Sequence, residues 1–366
     1  MNGGRLDGIG VYSRNLHAEL SKREGVSVLP VCFPPKPWQP ALAHSFLGKA
    51  GFTGAYGANA ALSALTSMPF RGADAVSRRI DLYHATDHLI PKLRGVPVVA
   101  TICDALAVKR PDWINAGPGA FRSFLFKSSA RWARRVIAIS AAMVPDLVEH
   151  LGVPEESVSV VHMGIGQDWF EAVTAEEKRA VLKKYGLSEG YFLFVGTLQP
   201  RKNLESILSA YEALPEEIRS RRQLVIAGQA GWGSEALVAR LRALQGGGRC
   251  CWLQYVPANE LRALYQNARV FVFPSLSEGF GIPVLEAFAS RVPVVTSNVS
   301  SLPEVAGDAA VLVDPRSVSE LSEAMAGLAE DQTLAVSLTE RGRARAALMT
   351  WEACASKTLD VYRKAM

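Results

Sequence analysis

The sequence predicts an α/β protein built from two doubly wound parallel sheets, and three observations carry that prediction. A chain of 366 residues is too long for one ordinary core and suits two domains. Short apolar runs alternate with helical patterns along it, as a parallel sheet flanked by helices requires. Several of those runs end in glycine or in charged loops, and ligands of such sheets bind beyond the carboxyl ends of the strands.

Composition narrows the function classes. No apolar run reaches the ~18 residues that a membrane-spanning helix needs, and the start MNGGRLDG lacks a signal peptide's apolar region, so the expected location is the cytoplasm. The five cysteines, Cys32, Cys103, Cys250, Cys251 and Cys354, are odd in number and lack metal-ligand spacing, so neither disulfides nor structural zinc are expected. Residues 1–170 hold 18 Lys and Arg against 13 Asp and Glu, out of totals of 40 and 35, which leaves 22 of each for residues 171–366. The whole excess of +5 therefore sits in the first half, where it favours phosphates or an anionic membrane surface and is too dispersed for nucleic acid.

The chain opens RLDGIGVYSRNLHAEL, with Gly8 and Gly10 ahead of a helical pattern of Val11, Leu16 and Leu20. Glycines before a helix N-terminus let a phosphate approach the backbone, although a plain tight turn uses the same residues. A strand should precede this loop, yet only seven polar, glycine-rich residues do; either the first strand is missing or the real start lies upstream. Beta-type runs follow at residues 26–32, 81–84, 96–102, 136–139 and 158–162, which puts His84, Cys103, Asp104 and Ser140 at strand ends. Residues 37–70 carry a single charge, Lys49, and read as a packed insertion or an apolar surface for a partner. In the helical stretch 120–135, Phe121, Leu125, Ser128 and Trp132 share one face, with Lys127, Arg131, Arg134 and Arg135 on another. Such a helix is either half-buried or laid on an anionic leaflet.

Residues 171–189 form a charged helical connector, after which Tyr191–Val195 is an apolar strand ending in GTLQPRKN. Arg201 and Lys202 thus stand side by side at a strand's carboxyl end, where two cations suit a diphosphate and a solvated basic turn is the plainer alternative. The run QLVIAGQAGWG places Gly228 at another such end, CCWLQYVP is the next strand and turn, and a helix at 258–267 follows. Then comes RVFVFPSLSEGFGIPVLEAFASRVPVVTSNVSSLPEVAGDAAVLVD, which reads strand, loop, helix, strand, short helix, strand. Pro283 sits where a first helical turn tolerates a missing N–H, so that helix aims its unpaired amides at whatever fills the loop Ser275 to Gly281. Glu278 precedes the helix and Glu286 lies within it, with seven residues between them. A carboxylate here suits hydroxyl-rich ligands while the amides of Gly279, Phe280, Gly281 and Ile282 face an anion; a solvated loop glutamate and a helix-surface glutamate would fit the spacing equally well. A last helix runs from about Trp351.

These motifs resemble the family-4 glycosyltransferases, retaining enzymes of the GT-B fold, and the resemblance spans nearly the whole chain. It is densest in FVGTLQPRKN, VIAGQAGW, VPANELRALYQNARVFVFPSLSEGFGIPVLEAF and SNVSSLPEVAGDAAVLVDP. It implies two Rossmann-like domains facing a cleft: residues 1–170 on the acceptor side, 171–348 binding a nucleotide sugar, and 349–366 as a helix crossing back. Carried over residue by residue, Glu286 would bind ribose hydroxyls and Glu278 the transferred sugar. The backbone of Gly279, Phe280, Gly281 and Ile282 would line sugar and diphosphate, Arg201 and Lys202 would neutralise the phosphates, and Gly228 and Val256 would border the donor. Gly8 and Gly10 would close over the phosphate, with Cys103 and Asp104 near the sugar.

The chain departs from the family in three ways. Cys103 stands where the family usually has histidine, Arg291 where glycine is common, and the first strand is not legible. No Asp-x-Asp occurs, so fixed cations are expected to do the work of a divalent ion, and no metal or cofactor is expected. The wording of GTLQPRKN and SNVSSLPEVAGDAA looks most like bacterial mannosyltransferases of O-antigen or exopolysaccharide assembly. That makes GDP-mannose the favoured donor, a saccharide or lipid-linked molecule the acceptor, and the inner face of the plasma membrane a possible site of peripheral contact. A nucleotide-sugar-binding protein without transfer activity, or a GT-B epimerase of sugar nucleotides, would use the same donor residues.

Overall fold

The computed structural model describes residues 8–32, 50–51, 56–113 and 119–366. The seven residues ahead of Gly8, and residues 37–49 and 52–55 of the low-charge segment, lie outside the described residues. The chain divides into two compact units, residues 1–163 with 351–366 and residues 164–350.

In the first unit a short parallel pair, β1 (Val31–Cys32) and β2 (Ala50–Gly51), stands apart from a four-stranded parallel sheet. That sheet is ordered β3 (Tyr83–Ala85), β4 (Val98–Ile102), β5 (Arg135–Ala138), β6 (Val158–Val160). β4 is buried along its whole length because helices cover both faces of a parallel sheet. The strand expected at 26–32 shrinks to its last two residues: Gly25 turns the chain at φ 74°, and Pro30 has no N–H to give a ladder. The helix expected at 120–135 is Gly119–Ala130, and Arg135 belongs to β5. Its buried side carries Leu125, Ser129 and Ala130, while Phe121, placed on the apolar face by the sequence, is 51% exposed. Gly8 and Gly10, read as a loop, form the first turn of the helix Gly8–Leu20.

The C-terminal helix Trp351–Ala365 is part of this unit and is tied to it by a chain of polar side chains. Tyr12 Oη lies 2.8 Å from Thr101 Oγ1, Thr101 Oγ1 lies 2.8 Å from His84 Nε2, and His84 Nδ1 lies 2.7 Å from Tyr362 Oη. Burial pushes the His84 imidazole down to about 3, so it is neutral, with one nitrogen donating and the other accepting. His84 is therefore a satisfied strand residue rather than a ligand waiting for a partner.

The second unit holds a six-stranded, all-parallel sheet. Its strands are β7 (Tyr191–Val195), β8 (Leu224–Ala227), β9 (Cys250–Trp252), β10 (Ala268–Phe273), β11 (Val294–Ser297) and β12 (Val311–Val313), in the order β12-β11-β10-β7-β8-β9. The order reverses between β7 and β10, and a doubly wound sheet opens its ligand crevice at the carboxyl ends of the two strands flanking that switch. The helix Ala175–Tyr185 enters this unit through a capping box in which Thr174 and Glu177 satisfy each other's backbone amides. Packing is close enough that a β-carbon on Gly342 would lie 2.5 Å from the Phe288 ring.

Replacing Tyr362 with Phe removes one end of the His84 chain and strands a buried ring nitrogen. The substitution should cost about 1–3 kcal/mol, read as a lower urea midpoint. An unchanged midpoint would mean that the chain does not fasten the C-terminal helix.

Candidate functional site

The loops leaving β7 and β10 meet because their strands are neighbours, with Phe271 in register with Leu193. The loop after β7 passes through Gly196 into a single 3-10 turn, Pro200–Lys202, and then Asn203 in the left-handed region at φ 59°. Asparagine tolerates that backbone, and here its side-chain Nδ2 donates to the carbonyls of Pro274 (3.0 Å) and Pro315 (2.6 Å). The Leu276 N–H in turn donates to the Arg201 carbonyl at 2.8 Å, so the two loops are stitched together.

Three charges meet at that seam. Lys202 Nζ lies 2.6 Å from Glu278 Oε1, and Arg201 Nη1 lies 2.8 Å from Glu278 Oε2 while also donating to the Ser277 carbonyl at 3.1 Å. Lys202 and Glu278 are 8% and 7% exposed, low enough that water does little to screen the pair. Lys202 Nζ also stands 4.7 Å from the centroid of the Phe273 ring, whose face attracts a cation. Burial alone would raise the Glu278 carboxyl, but the Lys202 ammonium and then the Arg201 guanidinium outweigh it and hold the carboxyl at about 2. For Lys202 burial dominates and, with Arg201 beside it, lowers the ammonium against the pull of Glu278. Glu278 is thus a carboxylate throughout the physiological range.

The backbone around Glu278 is held as firmly as its side chain. Ser300 Oγ accepts the Glu278 N–H at 3.1 Å and donates to the Glu278 carbonyl at 2.7 Å. Ser301 Oγ is within 2.9 Å of the Glu278 carbonyl and 2.6 Å of the Phe280 carbonyl. Ser300 sits at φ 59°, a strained backbone that places its hydroxyl on this loop. Gly281, at φ 128°, precedes the helix Ile282–Ala289, and Pro283 lies in that helix's first turn. A β-carbon on Gly281 would approach Leu302 to 3.0 Å. The Phe280 ring is buried beneath this loop.

The other expected site residues fall elsewhere. Glu286 is half-buried in the second turn of the helix, and its Oε2 accepts a hydrogen bond from Tyr265 Oη at 2.9 Å. Burial pushes its carboxyl up to about 7, with a contribution from the Asp168 charge against the Tyr265 hydrogen bond. Gly228 has a packing role: a β-carbon there would fall 1.9 Å from the Gly196 carbonyl, and its own carbonyl accepts Trp252 Nε1–H at 2.8 Å. Val256 is half-buried in the turn after β9. In the first unit Asp104 Oδ1 accepts the Leu106 N–H at 3.1 Å and so starts a short helix, and Cys103 is half-buried beside it. Sequence reasoning missed Asn203, Tyr265, Ser300 and Ser301. The two serines stand in SNVSSLPE, but nothing in that string says that their hydroxyls reach back to residue 278. Among the described residues no group of three or more His, Cys, Asp or Glu could hold a metal ion, and no helix is long and apolar enough to cross a membrane.

Two units, each built on a parallel sheet of Rossmann-like winding, are the architecture of the GT-B fold. Comparison with known families gives the same class: residues 175–345 match the model for glycosyl transferases group 1, and residues 6–169 match glycosyltransferase family 4. The chain belongs to these glycosyltransferases. It is 33% identical over 283 residues to O-antigen chain mannosyltransferase B of Escherichia coli, an alignment covering 77% of this chain and 74% of that one. It is 29% identical over 254 residues to the serotype-specific mannosyltransferase WbdA of Escherichia coli, where the match covers 68% of this chain but only 31% of the longer protein. Among solved structures, Anabaena Alr3699/HepE in complex with UDP and glucose superposes with a TM-score of 0.75 at 16% identity, covering 100% of this chain and 98% of that one.

The two glutamates give opposite pH dependences. Glu278, depressed from 4.5 to about 2, contributes stability above pH 4.5 that is lost as the pH falls through 2. Glu286, raised from 4.5 to about 7, keeps a proton that the unfolded chain releases, so stability falls as the pH rises through that window. Glu286→Gln should therefore leave the melting temperature almost unchanged at pH 4.5 and raise it at pH 7.5, by up to about 3 kcal/mol of stability. A difference that does not depend on pH would refute the raised carboxyl.

Proposed function

We propose that the chain transfers a hexose, with mannose favoured, from a nucleotide sugar, with GDP-mannose favoured, to a saccharide or lipid-linked acceptor in cell-surface polysaccharide synthesis. The names of the O-antigen mannosyltransferases to which it is similar support the sugar and the setting. The observation that carries the reading is the seam at which Arg201 and Lys202 meet Glu278. Without substrate, one carboxylate sits on both cations. A bound diphosphate brings more negative charge to them than Glu278 does, and so displaces it. The freed carboxylate can then accept hydrogen bonds from the sugar's hydroxyls, which are the donors it needs once it has lost the cations.

As the bond between sugar and phosphate oxygen breaks, charge gathers on the leaving diphosphate. In this reading Arg201, Lys202 and the amides at the start of the helix Ile282–Ala289 stabilise it in place of a metal ion. Retention of configuration follows if the acceptor attacks the face that the diphosphate leaves, with a phosphate oxygen taking the acceptor's proton; no protein nucleophile is assigned. Glu286 with Tyr265 forms the ribose end in this reading. Contact with an anionic membrane is supported by the exposed row Phe121, Phe124, Lys127, Arg131 and Arg134, in which apolar rings lead into cations.

Screening GDP-, UDP- and ADP-sugars by thermal shift, followed by label transfer to membrane extracts, tests the proposal. Glu278→Ala and Lys202→Ala should each lose about two to three orders of magnitude in transfer rate. Equal transfer by wild type and Glu278→Ala would remove Glu278 from the mechanism. Conversion of the donor with no acceptor present would replace transfer by epimerisation.

A further inference from the structure

A groove of about 870 Å³ opens at the opposite edge of the second unit's sheet, at the amino ends of β10 and β11. It lies roughly one strand length, ~20 Å, from the seam at Glu278. One face of the helix Gln332–Leu348 forms a wall, and three guanidinium groups, Arg269, Arg291 and Arg343, line it. Arg343 is anchored: its Nη atoms donate to the Phe170 and Ala289 carbonyls at 3.3 Å, and its guanidinium lies 5.3 Å over the Phe170 ring. Arg269 donates through Nε to the Ala329 carbonyl at 3.0 Å and through Nη1 to Gln332. A guanidinium carries five N–H groups, so both keep donors beyond those bonds.

Arg291 differs from the other two. It is exposed, its N–H donates to the Phe288 carbonyl at 3.1 Å, and its guanidinium makes no hydrogen bond or ion pair with any described residue; yet it occupies φ 61°, a left-handed backbone that a β-carbon disfavours. The turn between the helix Ile282–Ala289 and β11 thus holds a side chain in a conformation suited to glycine, and aims a third arginine at the groove. Strain kept at an unpartnered cation calls for a role outside the fold's own contacts.

We propose that this groove is a second ligand site and that it takes a phosphorylated saccharide. Three arginines give planar, paired donors for a phosphate group. Glu340, together with Gln167, Gln332 and Thr339, adds acceptors and amides that suit hydroxyl groups, and a carboxylate in this position disfavours a ligand that is anionic throughout. Phe170 and Val336 supply the apolar surface on which the face of a pyranose can rest. The volume is that of a small-molecule site. This site stands apart from the donor reading, because it shares no residue with the seam at Glu278.

Titration calorimetry on the full chain, with mannose 6-phosphate as the probe and free mannose as the control, tests the proposal. Wild type and Lys202→Ala should bind the phosphate ester alike, Arg291→Gly should bind it at least about tenfold more weakly, and free mannose should give no saturable heat. Arg291→Gly relieves the positive-φ strain and should melt no lower than wild type, which separates lost binding from lost folding. The same phosphosugar chemistry could be presented free or on a lipid, so flotation with phosphatidylcholine vesicles containing phosphatidylinositol forms a second arm. Binding in either arm that falls with Arg291→Gly and survives Lys202→Ala supports the site and names its source. Binding lost in Lys202→Ala and kept in Arg291→Gly would assign the heat to the donor seam. That result, or an absence of binding in both arms, would overturn the proposal.

Discussion

Lys202 and Arg201 bring two positive charges to a seam where Glu278 supplies only one negative charge. Each would be costly to bury alone, and the geometry that makes them affordable is a short one: two close contacts to the two oxygens of a single carboxylate. A buried ion pair of this sort is weak evidence of stability, since desolvation consumes much of the attraction. What the arrangement provides is position. The two cations are held in fixed positions on one carboxylate, so these three groups together carry a net positive charge.

The sheet order makes such a seam possible. β7 and β10 are adjacent although the whole of β8 and β9 separates them in sequence, so residues 201 and 278 meet only because the winding reverses between them. The loops then have to hold close approaches that a bulkier backbone would block. Gly228 against the Gly196 carbonyl is one, and Gly281 against Leu302 is another. Asn203 fastens the two loops, and the hydroxyls of Ser300 and Ser301 fasten the backbone of Glu278. Side chain and main chain of residue 278 are therefore fixed by separate sets of partners.

How far the sequence alone could go depended on the kind of interaction. Strands buried on both faces announce themselves as apolar runs, which is why β4, β7, β8 and β10 were legible to within a residue or two. Glu278, Arg201 and Lys202 were legible as residue types at strand ends. Their mutual pairing was not, because contact between loops more than 70 residues apart is set by sheet order rather than by spacing. The raised carboxyl of Glu286 was hidden for a similar reason: it comes from burial, with the Asp168 charge, in an environment that the packing of several elements creates, and it is reached against the Tyr265 hydrogen bond. In the first unit the helix Gly119–Ala130 buries Leu125 of its expected apolar face and half-buries Ser128, but leaves Phe121 exposed. Arg291 was visible as an arginine in a turn that favours glycine, but its setting among Arg269 and Arg343 depends on a helix more than 40 residues further on.

The central claim is that Glu278 occupies the two cations until a diphosphate displaces it and it turns to the sugar. Calorimetric affinities of Glu278→Gln for a nucleoside diphosphate and for the corresponding nucleotide sugar test this most directly. Removing the competing charge should strengthen binding of the diphosphate alone and weaken binding of the nucleotide sugar relative to it, so that the two affinities move apart. If both ligands weaken together, Glu278 supports the loop's structure rather than yielding its place, and the account fails.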